Sequence, residues 1–146
     1  MARLSWQSQP KSMVTFAELG LAPGRYAIYE FWSKKYLGEF EEGFPAEAQA
    51  PKAVHVYCIR RVLGHPQLVS TSRHITQGGP DLLAENWHRR TKTLQGESQV
   101  VGNDPYEVRI RRAGLTPTTS NFSYQIEGDL VCVRVAANRS GRSDLC

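Results

Sequence analysis

At 146 residues, 40% apolar and 22% charged, the chain can bury a sizeable core without disulfide or metal staples. Its net charge of +4 is spread out, with nine Lys/Arg against six Asp/Glu up to residue 80 and nine against eight beyond, so no phosphate-binding patch is evident; only Arg109 to Arg112 is locally dense. No apolar run is long enough for a membrane helix, and MARLSWQSQPKS has no h-region, so any export signal is expected outside this chain.

Taken in order, Arg3 to Gln7 and Met13 to Phe16 read as short strands, and Ala17 to Leu21 as one helical turn stopped by Ala-Pro-Gly. Arg25 to Ser33 alternates strongly, with Tyr26, Ile28, Glu30 and Trp32 on one face. Lys34-Lys35 turns it into Tyr36 to Phe40, which predicts a hairpin. Glu41 to Pro51, with two prolines, reads as a connector before the strand Ala53 to Val62. Arg60 to Asp81 gathers His65, Arg73, His74, Ser72 and paired glycines, and reads as a crossover between sheets. Leu82 to Trp87, Thr91 to Gln95 and Glu97 to Val101 follow as strands, then Tyr106 to Arg111 with Val108 and Ile110 inward. Asn121 to Ile126 and Leu130 to Ala136 form a closing hairpin, with Val131, Val133 and Val135 on its apolar face. No stretch keeps a 3.6-residue apolar period. About ten short strands with regular turn signals predict an all-β antiparallel sandwich over residues 1–137, followed by a polar, frayed tail over 138–146.

The chemistry is sparse. G-x-S-x-G, H-E-x-x-H, phosphate-loop and dinucleotide motifs are all missing. Gly78-Gly79 runs into Pro80, so this turn does not open a helix with amides aimed at a phosphate. Three cysteines, Cys58, Cys132 and Cys146, lack metal spacing, and neither a metal nor a cofactor is expected; reduced buried thiols suit a reducing compartment such as the cytoplasm. Ser72, His74 and Asp81 could form a hydrolytic triad, but no oxyanion element accompanies them, and a structural role at the crossover is the better reading. Among the tryptophans, Trp32 is expected in the core and Trp87, beside His88-Arg89-Arg90, at the surface. An aromatic face next to cations suits sugar stacking, and more weakly single-stranded nucleic acid.

The segments LSWQSQPKSMVTFAELGLAPGRYAIYEFWSKKYLGEF, PKAVHVYCIRRVLGHPQLVSTSRHITQGGPDL and LQGESQVVGNDPYEVRI together resemble the C-terminal β-sandwich of melibiase-like (α-galactosidase-superfamily) glycoside hydrolases. The matching features are Trp6 closing the first strand, the Leu19-Gly20-Leu21 turn, the Phe31-Trp32 pair, Pro51, Ile59-Arg60, and above all TSRHITQGG. The resemblance implies a non-catalytic accessory domain packed against a catalytic barrel, with a partly apolar exposed face. The family's catalytic aspartates belong to the barrel, so it assigns no catalytic residue here. Carbohydrate contact is expected, if anywhere, at Trp87, Arg89, Arg73 and His74. The alternatives are a free-standing carbohydrate-binding module, a small hydrolase on the Ser72 cluster, and a nucleic-acid-binding domain.

Overall fold

Tyr26 to Glu30 sets the pattern for the whole chain, because alternating apolar side chains on an extended backbone pack two faces at once. The computed structural model describes residues 1–73, 75–136 and 141–145. Among them there is no helix, and thirteen strands pair antiparallel throughout. The chain divides into two compact units, Met1–Val62 and Leu63–Cys146. Where the alternation predicts one sandwich over residues 1–137, two separate hydrophobic clusters form, each with its own pair of sheets.

The first unit contains β1 (Ala2–Leu4), β2 (Ser12–Thr15), β3 (Tyr26–Glu30), β4 (Lys35–Phe40), β5 (Gly43–Ala46) and β6 (Val54–Arg61). One sheet has the order β1-β6-β3-β4, and β2 pairs with β5 in a second. Between them lie Tyr26 and Ile28 from β3, Tyr57 from β6, Phe44 and Ala46 from β5, and Phe16. The Phe16 and Tyr26 rings sit 4.6 Å apart, and those of Phe44 and Tyr57 5.0 Å. Ala17 to Leu21 does not make a regular helix. It is a turn in which Leu21 N donates to Phe16 O at 2.9 Å and Gly20 takes φ 68°. At the other end of β3, the buried Glu30 carboxylate accepts from Ser33 N at 2.5 Å and from Val56 N at 3.2 Å. One side chain thus ties the β3–β4 turn to β6.

The second unit contains β7 (Gln67–Thr71), β8 (Leu82–His88), β9 (Thr93–Val100), β10 (Tyr106–Arg111), β11 (Ser123–Glu127), β12 (Leu130–Val135) and β13 (Gly141–Leu145). Its sheets are ordered β11-β12-β10-β7 and β13-β9-β8. Val108, Val131, Val133 and Val135 face inward as their alternation predicts, and pack with Leu68, Tyr106 and Val100. The two stretches Thr91 to Gln95 and Glu97 to Val101 merge into the single strand β9. Residues 141–145, expected in a frayed tail, form β13 and pair with β9 from Gly141↔Val100 to Leu145↔Gly96, which satisfies backbone groups along that edge. Residues 137–140 and 146 lie outside the described residues.

Candidate functional site

The polar crossover is used on itself. From β7 the chain turns back into β8 of the other sheet of its unit, carrying hydroxyls, an amide and a carboxylate into buried positions. Each meets a partner: Thr71 Oγ1 donates to Asp81 Oδ2 at 2.9 Å, and Ser70 Oγ donates to Gln77 Oε1 at 2.9 Å. Arg109, buried and paired with Glu107 at 2.9 Å, donates to Thr71 O at 3.1 Å. Ser98 Oγ and Tyr106 OH lie 3.1 Å apart, and burial pushes the Tyr106 phenol well above its ordinary value, with Asp81 adding to the effect. Ser72 Oγ accepts from Glu107 N at 2.8 Å. Two members of the conceivable triad, Ser72 and Asp81, are therefore occupied with holding strands together; His74 lies outside the described residues. Buried polar groups that are paired in this way fix a crossing instead of exposing a nucleophile.

The expected sugar-contact residues do not form one cluster. Trp87 lies on β8 opposite Leu94, half-buried, with its ring stacked on His65 at 5.5 Å and 4°. Arg89 is exposed in the turn just beyond. Arg73 donates to Gln99 O at 2.6 Å and lies 3.5 Å from Asp104. Gln99 belongs to the far end of β9, five positions along from Leu94, or roughly 17 Å of strand. Trp87 and Arg89 therefore share the tip of the β8–β9 hairpin, whereas Arg73 is fixed at its base.

Beside Trp87 the second unit opens into a groove of about 480 Å³. Its floor is apolar, made by Leu94, Ile110, Val131 and Val133, and Tyr124 and Leu115 stand at its sides. Register explains the opening. Tyr124 lies opposite Val133 and Ile126 opposite Val131, so both point to the inner face of the sheet, yet both remain exposed on edge strand β11. The rim carries the hydroxyls of Thr91, Thr93, Thr116 and Ser120 with Lys92 and Arg112. Of its lining, the sequence singled out Trp87 as a surface candidate and Arg112 within the dense Arg109 to Arg112 run.

The first unit carries a different surface. Leu4 and Val54 are directly opposed across β1 and β6, and Ala2 opposes Val56 on the same face. Phe31 N donates to Val56 O, and the Phe31 ring meets Trp32 edge-on at 4.9 Å. Leu4 is 60% exposed, Val54 40% and Trp32 58%, and Trp6, two residues beyond Leu4, is 76% exposed. The assignment of Trp32 to the core is thus corrected. β3 stops at Glu30, whose carboxylate turns back to the Ser33 amide, and Trp32 falls in the turn. Trp87, expected at the surface, is the more covered of the two.

Among the described residues no three His, Cys, Asp or Glu side chains come together to hold a metal, and no helix is long and apolar enough to cross a membrane. Cys58 and Cys132 are free thiols, both raised by burial, Cys132 to about 11. The chain matches no protein-family model, no curated protein and no solved structure.

Proposed function

We propose that this chain is a non-catalytic accessory domain of a glycoside hydrolase of the α-galactosidase type, docked through its first unit onto the enzyme's catalytic barrel. The observation that carries the reading is the exposure of four large apolar side chains in the first unit, Leu4 opposite Val54 on the sheet and Trp6 and Trp32 in the segments beyond β1 and β3. Large apolar side chains left exposed lose hydrophobic free energy to water, and where they gather they mark surfaces that a partner covers. The family is proposed from the resemblance of the TSRHITQGG phrase, whose residues Ser72 and Gln77 are taken up in hydrogen bonds of the crossover, as suits a structural module.

The test begins with the coding sequence upstream of Met1. A barrel with paired catalytic aspartates is expected there, and it should co-purify with this chain when the two are expressed together. Trp6→Ser combined with Trp32→Ser should abolish co-purification while leaving the chain folded. An upstream sequence without a barrel, or a barrel that ignores the chain, overturns the reading. Titration with galactosides separates the rival carbohydrate-binding module, for which the isolated chain must bind sugar on its own.

A further inference from the structure

The groove beside Trp87 carries an inference independent of the accessory-domain reading. Its size falls within the range of small-molecule sites, and its floor is apolar. The charged groups lining it are of one sign: Lys92 and Arg112 contribute to it, and among the described residues no Asp, Glu, Asn or Gln side chain does. The rim hydroxyls both donate and accept and serve a neutral sugar or an anion alike, so the two cations are what favour an anion.

Arg112 makes the point sharper. Its Nη1 donates over long distances, 3.5 Å to Leu115 O and 3.4 Å to Thr116 Oγ1. Its Nε–H is buried and meets no acceptor among the described residues. A carboxylate matches the guanidinium edge with two parallel hydrogen bonds, and the long contacts of Nη1 leave Arg112 with donors to spare. One face of Trp87 is already covered by His65, so the indole presents its remaining surface to the groove as a rigid wall. We propose that this groove binds a small amphipathic carboxylate. The carboxylate sits on Arg112, with Lys92 adding charge at the rim, and an aromatic or short acyl body lies between Trp87 and the floor of Ile110, Val131 and Val133.

The experiment titrates the whole chain with 2-naphthoate and, in parallel, with its neutral isostere 2-naphthamide and with methyl α-galactoside. Calorimetry and the indole N–H signals of Trp6, Trp32 and Trp87 provide the readouts. The acid should bind about tenfold or more tighter than the amide, the difference expected for a charge-assisted pair. Only the Trp87 signal should move. Arg112→Gln should erase the preference for the acid, and Arg89→Gln, which removes an exposed charge from the adjacent turn, should leave it intact. Equal affinity for acid and amide, shifts confined to Trp6 or Trp32, a galactoside that binds more tightly than the acid, or equal losses in the two arginine variants each overturn the proposal. Should Arg112→Gln fail to fold, the comparison of acid and amide on the unmodified chain still decides it.

Discussion

Glu30 ties the β3–β4 turn of the first unit to β6. Burial by itself would raise its carboxyl, but hydrogen bonds from Ser33, Val56 and Trp32 outweigh that effect and hold it below the ordinary value of 4.5. His55 Nδ1 lies 3.5 Å from the same carboxylate. A group whose folded pKa is depressed contributes stability above its unfolded value and loses it as pH falls through the folded one. Unfolding free energy should therefore be level in this respect near neutrality and decline below about pH 4.5. Glu30→Gln keeps the shape but removes the charge, so it should cost about 2 kcal/mol at pH 7 and flatten the acid limb. Urea titrations at a series of pH values check both; an unchanged acid limb in the variant would show that Glu30 is not the group responsible. The same residue explains why the tryptophans were hard to place from sequence. Alternation puts Trp32 in register with Tyr26 and Ile28, and nothing in that pattern says that the strand ends at Glu30, three residues early. Nor does spacing along the chain say that Arg73 and Trp87 lie at opposite ends of a hairpin.

At the scale of strands, the elements most legible in the sequence are those with one apolar face. Val108 and Ile110 on β10, and Val131, Val133 and Val135 on β12, alternate cleanly and lie where the pattern puts them. β5 and β7 are less visible for opposite reasons. Gly43-Phe-Pro-Ala looks like a connector, because proline removes a ladder donor; it is tolerated in β5, which pairs only with β2 and leaves Pro45 exposed. Gln67 to Thr71 is polar at three of five positions yet entirely buried, since Arg109, Gln77 and Asp81 satisfy the hydroxyls of Ser70 and Thr71. Gly43 shows how tightly β5 is seated. A Cβ there would lie 2.4 Å from Val14 O and 2.8 Å from Thr15 Cα, both backbone atoms of β2. The strand cannot yield without opening the ladder, so Gly43→Ala should cost roughly 2–3 kcal/mol and lower the melting temperature. Amide exchange should quicken first in Ser12–Thr15. A variant as stable as the parent would mean that the β2–β5 contact is looser than its geometry.

The whole molecule is governed by its division into two cores. Phe44 belongs to the cluster of Tyr26, Ile28 and Tyr57, whereas Val108 belongs to that of Val131, Val133 and Leu68, and the two share no member. Composition and length fit one domain as easily as two, because the break at Val62–Leu63 carries no long linker, only the end of one strand and a Gly-His-Pro turn. What distinguishes the cases is how strands pair, which alternation leaves open: β6 pairs with β1 and β3, and β7 with β10, so no strand of either unit completes a sheet of the other. A cavity in one cluster should then be felt first by its own strands. Phe44→Ala removes a fully buried ring and should cost about 3–5 kcal/mol, with faster exchange at the amides of β2 through β6. Exchange at β10 and β12 should stay near its original rate. Val108→Ala should produce the reciprocal pattern. Acceleration spread evenly over all thirteen strands in either variant would mean that the two clusters open together, and that the chain behaves as the single sandwich its alternation first suggests.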